Sequence, residues 1–171
     1  DAVERRHAGG YVLADVTDAK AVEAGVKQAV ASRGPIDVLI ANAGSAKPIS
    51  FAKASPALFR EMFDVHVLGM VHPAQAVLGG MIERRFGRIV AVASIASLRA
   101  FPNAAPYCTA KHAMLGLVRS IALETAKSGV TVNAVCPGYV DTDLIRPRIE
   151  QQVSRGMRRE DAIDEFASRN N

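Results

Sequence analysis

The sequence has 171 residues and a formal net charge of +4, and its pI lies near 9.3. Its hydrophobic content of 49% with few aromatic residues excludes a disordered chain and indicates one globular domain with an aliphatic core. Lys and Arg are scattered apart from short groups at 84–88 and 155–159, so we expect no nucleic-acid partner, which would need a basic stripe or patch.

Neither a secretory signal nor an apolar run suited to a membrane span stands out in the sequence. Cys108 and Cys136 lack the spacing of metal ligands. We therefore expect a cytoplasmic protein with reduced thiols, no bound metal and no membrane partner. The first residue is Asp rather than Met, so we also expect that the sequence belongs to a longer chain.

The N-terminal half predicts alternating strands and helices. Residues 10–16 favour a short buried strand, and Thr17 is a candidate N-cap for a helix that ends at Gly34. Residues 36–41 are almost continuously apolar, which predicts a strand buried on both faces of a parallel sheet. Ser55 and Pro56 open a helix that reaches about Arg85, with a kink expected near Pro73.

The C-terminal half continues the alternation. The predicted elements are a strand at 87–93, a helix at 107–128 closed by Gly129, a strand at 130–135 and a helix near 159–167. This order predicts an α/β fold with a doubly wound parallel sheet, Rossmann-like, in a single domain over residues 1–171.

Tyr107 and Lys111 lie one turn apart on the apolar stripe of the predicted helix. An inward-facing lysine is costly without a partner, and a nearby cation favours the phenolate form of a tyrosine. The pair is therefore a candidate acid/base. The spacing alone is weak evidence, because a lysine that extends past a core tyrosine gives the same pattern.

Several further residues follow the predicted strands. Ser94 follows the strand at 87–93, the triplet 42–44 (Asn-Ala-Gly) follows the strand at 36–41, and Pro137-Gly138 follow the last strand. Ligands of open α/β sheets bind beyond the carboxyl ends of the strands, so all these residues are expected at one ligand-binding edge.

These pieces resemble the short-chain dehydrogenase/reductase family over about residues 10–145. The similarity is carried by Asp15-Val16, Asn42-Ala43-Gly44, Ser94, Tyr107-x-x-x-Lys111, Asn133 and Pro137-Gly138-x-x-x-Thr142. The resemblance implies hydride transfer between NAD or NADP and a secondary alcohol or ketone. It also implies that full-length members assemble as dimers or tetramers through the two long helices.

The resemblance implies a role for each of these residues. Tyr107 would exchange the proton of the substrate oxygen, Ser94 would hydrogen-bond that oxygen, and Lys111 would lower the pKa of Tyr107 and hold the nicotinamide ribose. Cofactor contacts would also come from the adenine side (Asp15, Val16), the loop after the second predicted strand (Asn42, Ala43, Gly44) and the nicotinamide side (Pro137, Gly138, Val140, Thr142).

The sequence departs from the family pattern at His66, which aligns with an Asn that usually completes the catalytic set. Two alternatives stay open: His66 keeps the relay role of that Asn, or it is a substituted helix residue and the relay is altered.

The Gly-rich turn with which family members bind the cofactor pyrophosphate is not found in these 171 residues. In the strand order 3-2-1-4-5-6, the strand at 10–16 would be the third, and the first two would be missing. We therefore expect a sheet that is incomplete at both ends. A truncated, inactive remnant that acts only by association is the alternative to an enzyme, and a nucleotide-binding regulator is a third interpretation.

Overall fold

The structure, a computed structural model, describes residues 10–140 and 145–168. Six α-helices and three strands lie in these residues, besides shorter 3₁₀ and π segments. They are α1 (Ala19–Arg33), β1 (Val38–Ala41), α2 (Pro56–Phe63), α3 (Gly69–Glu83), β2 (Gly87–Val92), α4 (Ala105–Thr125), β3 (Val130–Val135), α5 (Arg146–Ser154) and α6 (Arg159–Ser168).

The three strands form a parallel sheet in the order β1-β2-β3, and this confirms the predicted fold class. Ala41 of β1 pairs with Ala91 of β2, which pairs with Ala134 of β3. The main core lies between one face of this sheet and helices α3 and α4. Its buried members include Met70, Val77, Met81, Ile89, Met114, Val118 and Val132.

The predicted strand at 10–16 is wrong, because these residues form no strand in the structure. A strand needs a hydrogen-bonded neighbour, and β1–β3 are paired only with one another in the described residues. The N-cap of α1 is also one residue later than predicted: the Asp18 carboxylate, not Thr17, accepts from the amides of Lys20 and Ala21. Gly34 ends α1 with a positive φ, as expected.

The strand predicted at 36–41 is shorter than expected and is not buried on both faces. Val38 and Ile40 are 53% and 56% exposed, whereas Leu39 and Ala41 pack on the core. No helix of the described residues covers the sheet face that carries Val38 and Ile40. A sequence pattern reports apolar character, but it does not report which layers lie against it.

The long helix predicted at 55–85 contains a π-helical segment at Asp64–Leu68 between α2 and α3. Ser55 caps its start through the amide of Leu58, as predicted. The irregularity precedes Pro73, which lies within regular α3. A π segment widens the helix by one residue, and such segments are frequent at functional sites.

Contrary to the sequence expectation, the run Pro56–Glu83 is long and apolar enough to cross a membrane by length and composition. In the structure, however, Met62, Met70, Val77 and Met81 of this run are buried in the core against the sheet and α4. This packing accounts for its apolar character.

Candidate active site

Three loops meet at the carboxyl edge of the sheet. The Ala93 amide donates to the Val135 carbonyl at 2.8 Å, and the Ile95 amide donates to the Pro137 carbonyl at 2.9 Å. The loop after β2 is therefore fixed to the loop after β3. Helix α4 follows the β2 loop directly, so its first turn lies at this same edge. Ser94, Tyr107 and Lys111 are brought together by this arrangement.

The Ser94 hydroxyl faces the Tyr107 phenol closely enough to lower the pKa of that phenol. The Ser94 hydroxyl also accepts the Ala96 amide at 3.1 Å, as the N-cap of a short 3₁₀ turn at Ile95–Ser97. Because a hydroxyl oxygen accepts through its lone pairs, the Ser94 hydrogen remains free to donate to the phenol. Tyr107 itself is half-buried.

Lys111 is 4% exposed, and its ammonium donates to the Val92 carbonyl at 2.8 Å. Its Nζ lies 5.7 Å from the centroid of the Tyr107 ring. Burial lowers the pKa of Lys111 to about 8. An ammonium has three hydrogens, so the bond to Val92 leaves two for a ligand.

Burial, rather than the Lys111 ammonium, has the largest effect on the pKa of Tyr107. Burial raises the pKa of the Tyr107 phenol above its ordinary value, and the groups that oppose this are the Ser94 hydroxyl and the Arg148 guanidinium. Because the pKa of Lys111 is itself lowered to about 8, its ammonium loses its proton before a phenol with a raised pKa ionises. A raised pKa keeps the phenol protonated at neutral pH.

His66 lies in the π segment and is 2% exposed. Its Nε2–H donates to the Ser45 carbonyl at 2.7 Å, which ties the helix to the loop after β1. Nδ1 is buried and has no hydrogen-bond partner. Since a carbonyl only accepts, Nε2 carries the proton and Nδ1 keeps a free lone pair.

The electrostatic surroundings keep His66 neutral. Burial lowers its pKa to about 4, the Lys111 ammonium adds to this effect, and the bond to Ser45 opposes it. The imidazole is therefore uncharged near neutral pH, and of its two nitrogens only Nδ1 can accept a hydrogen bond.

The loop residues Asn42, Ala43 and Gly44 are exposed at the same edge. A Cβ added to Gly44 would lie 2.7 Å from Cε1 and 3.0 Å from Nδ1 of His66. Such a contact is closer than van der Waals packing permits, so the bulk of His66 requires glycine at position 44.

Asp15 and Val16, the predicted adenine contacts, lie in the segment before α1. The Asp15 carboxylate is exposed and accepts from both the amide and the hydroxyl of Thr17, which lower its pKa. The Val16 carbonyl accepts a hydrogen bond from Nδ1 of His72. A Cβ added to Gly69 would lie 3.0 Å from the Val16 side chain. Val16 is thus fixed against the N-terminal end of α3.

Among the predicted nicotinamide contacts, Pro137 and Gly138 are half-buried beside Ser94, and Val140 is exposed. Thr142 lies outside the described residues. Sequence reasoning missed Tyr139 and Arg148, which act electrostatically on the phenol of Tyr107. No local signal identifies them, because their position depends on how α5 and α6 pack.

Comparison with known proteins agrees with this geometry. The profile of the short chain dehydrogenase family matches residues 4–153. The chain therefore belongs to the short-chain dehydrogenase family, as its motifs predicted.

Among its relatives, an acetoacetyl-CoA reductase of Paracoccus denitrificans is 37% identical over 83% of this chain and 59% of its own length. The 3-oxoacyl-[acyl-carrier-protein] reductase MabA of Mycobacterium avium is 34% identical over 85% of this chain and 56% of its own. A gluconate 5-dehydrogenase from Burkholderia cenocepacia J2315, solved with NADP and tartrate, superimposes with a TM-score of 0.74 at 32% identity, over 78% of this chain and 52% of its own. The chain spans between half and three fifths of the length of these proteins.

Proposed function

We propose that the full-length protein transfers a hydride between NAD(P) and a secondary alcohol or ketone, with Tyr107 as general acid/base. The observation that carries this proposal is the buried ammonium of Lys111, which lies 5.7 Å from the centroid of the Tyr107 ring, with the Ser94 hydroxyl facing the same phenol. The relatives named as acetoacetyl-CoA and 3-oxoacyl reductases act on substrates that contain a ketone, which supports the same reaction class.

The residues at the carboxyl edge of the sheet fit a nicotinamide nucleotide. Lys111 has two free N–H groups, which suit the hydroxyls of a ribose. The exposed loop at 42–44 and the half-buried Pro137 and Gly138 would flank the nucleotide on either side. The NADP held by the Burkholderia dehydrogenase supports this choice of cofactor. When bound, the nucleotide supplies the hydride.

The protein's own side chains supply the proton and hold the substrate. Ser94 donates a hydrogen bond to the carbonyl oxygen, and Tyr107 donates its phenolic proton to that oxygen as the alcohol forms. Because burial raises the pKa of Tyr107, the phenol is protonated at neutral pH and carries the proton that ketone reduction consumes. Oxidation of the alcohol would need higher pH.

His66 provides the relay contact in this proposal. Its neutral imidazole anchors the π segment to Ser45, and its Nδ1, which has no partner in the structure, would accept a hydrogen bond from a group that enters the site. A side chain that can only accept at Nδ1 replaces the amide of the usual Asn. The free acceptor at Nδ1 supports the first alternative for position 66, in which His66 keeps the relay role of the usual Asn.

The test is reduction of simple ketones by the full-length protein with NADH or NADPH. A raised melting temperature with either nucleotide, together with oxidation of the nucleotide when a ketone is added, is the expected result. If neither nucleotide shifts the melting temperature and no ketone is reduced, the protein is the inactive remnant instead.

We also propose that the full-length protein is a homo-oligomer built on the outer faces of α3 and α4. Gly79 and Gly116 have open space beside them, and Leu123 is 80% exposed, so these helices offer small and apolar outer surfaces. Light scattering on Gly116→Arg should give a smaller assembly than the unchanged protein, and an unchanged mass would contradict this interface.

A further inference from the structure

Helix α5 packs against α6 and against Tyr139, which lies in the loop after β3. Ile145 and Ile149 pack with Ala162 and Phe166 of α6, and Tyr139 joins the same cluster. The Tyr139 ring lies 5.2 Å from Phe166, and the phenol of Tyr139 also acts electrostatically on Tyr107. The α5–α6 pair is therefore attached to the loop after β3, which is itself fixed beside Ser94 by the bond from the Ile95 amide to the Pro137 carbonyl.

Arg148 lies in α5, next to Ile149, and is half-buried. Its charge reaches the Tyr107 phenol, whose pKa it lowers against the larger effect of burial. Arg148 does not line the cavity of about 200 Å³ that Arg146, Ile149 and Phe166 help to form between the last two helices. Its side chain thus lies on a different flank of α5 from the residues that line this cavity, and its charge acts on the Tyr107 phenol.

The guanidinium of Arg148 forms no ion pair or hydrogen bond in the part of the chain that the structure describes, although its backbone amide donates to the Ile145 carbonyl. The acidic residue of α5, Glu150, is paired with Arg159 instead. A half-buried guanidinium without a counter-ion is costly, because burial penalises the charge that no anion balances.

Gln152 lies one turn after Arg148, on the same side of α5. Its Oε1 is buried and has no hydrogen-bond partner. Side chains four residues apart on a helix are neighbours, so Gln152 is placed to accept an N–H of Arg148. Among the described residues, the guanidinium of Arg148 thus has no paired anion, and Oε1 of Gln152 has no donor. The two groups lie together beside the proposed active site.

We propose that Arg148 selects substrates that carry a carboxylate close to the reacting carbonyl, and that Gln152 positions its guanidinium. This inference rests on the proposed function. A guanidinium binds a carboxylate through two parallel hydrogen bonds, which fixes the orientation of a short oxo acid. With the carboxylate on Arg148, the ketone oxygen of such an acid would lie at Ser94 and Tyr107.

The same chemistry would bind a phosphate of the nucleotide, so the experiment separates the two sources. Steady-state kinetics of the full-length protein would compare 3-oxobutanoate with its uncharged methyl ester. The variants are Arg148→Gln, Arg148→Lys and Gln152→Leu, and the control is Arg155→Gln, which removes an exposed arginine from the end of the same helix.

We expect Arg148→Gln to lower kcat/KM for 3-oxobutanoate about 10- to 100-fold, mainly through KM, because a charge-assisted hydrogen bond is lost. The kcat/KM for the methyl ester and the KM for the nucleotide should be almost unchanged. Arg148→Lys should recover part of the lost kcat/KM for 3-oxobutanoate. Gln152→Leu should show a smaller loss of kcat/KM, and only for the acid. Arg155→Gln should have the same kinetics as the unchanged protein.

Equal losses of kcat/KM for the acid and the ester in Arg148→Gln would overturn the inference. A rise in the KM for the nucleotide alone would also overturn it, because it would assign Arg148 to a phosphate of the nucleotide. If the unchanged protein reduces neither ketone, the proposed function fails. Calorimetric binding of 3-oxobutanoate then decides the inference separately: weaker binding to Arg148→Gln supports a carboxylate site, and equal or absent binding overturns it.

Discussion

The imidazole of His66 lies edge-on to the ring of Tyr107, with 5.3 Å between the ring centroids and 80° between the ring planes. This contact joins the π segment of the long helix to the first turn of α4. It connects the position that departs from the family pattern directly to the proposed acid/base. Changes at His66 are therefore expected to affect the geometry of Tyr107.

Gly44 is the first test of this contact. We expect Gly44→Ala to displace the His66 ring, because the added Cβ would lie 2.7 Å from Cε1. The variant should lose about 1–3 kcal/mol of stability, as overpacked sites do, and most of its ketone reduction. Urea denaturation and steady-state kinetics measure the two effects.

The matched control is Gly80→Ala in α3, where the added Cβ would meet only the flexible end of the Arg84 side chain. An alanine inside a helix should be neutral or stabilising by about 0.5–1 kcal/mol. If Gly44→Ala behaves like Gly80→Ala, the close packing of His66 on the loop does not matter for the site.

His66 should also produce a pH dependence of stability. Its folded pKa of about 4 lies below the ordinary value of 6.5, so the unfolded chain takes up a proton first as the pH falls. Its contribution to stability is therefore complete above pH 6.5 and is lost between 6.5 and 4.

His66→Asn should remove that contribution and keep most of the turnover, since an amide can still accept and donate at this position. Melting temperatures at pH 7 and pH 4.5 measure the first effect: the unchanged protein should lose more than the variant. Turnover that disappears in His66→Asn but persists in His66→Ala would show that position 66 is not a relay.

Lys111 is expected to reduce stability while it serves the reaction. Its folded pKa of about 8 lies below the ordinary 10.5, so its charged form is disfavoured by folding. Below pH 8 this cost is complete. Between pH 8 and 10.5 the unfolded chain binds more protons, and the free energy of unfolding rises with pH.

Lys111→Met should therefore raise the free energy of unfolding at pH 7 by about 1–2 kcal/mol and abolish ketone reduction. The advantage of the variant should shrink as the pH rises from 8 to 10. Urea denaturation over this range is the measurement, and a variant less stable than the unchanged protein at pH 7 would contradict the assigned cost.

Local patterns were sufficient for much of the site. Tyr107 and Lys111 share a helix turn, and Ser94, Gly44 and Pro137 follow strands that run in parallel, so one sheet edge could be predicted to collect them. The segment at 10–16 was misread because its strand-like composition says nothing about a missing neighbour. Arg148 and the raised pKa of Tyr107 depend on packing between distant segments, which no spacing in the sequence encodes.

The central claim is that the phenol of Tyr107 delivers the proton. The most direct measurement is kcat for ketone reduction by Tyr107→Phe in the full-length protein, alongside the nucleotide-induced shift in melting temperature, with Tyr11→Phe as an exposed control. We predict a loss of turnover of about 10²–10⁴-fold with the nucleotide shift retained. Turnover close to that of Tyr11→Phe would contradict the proposed mechanism.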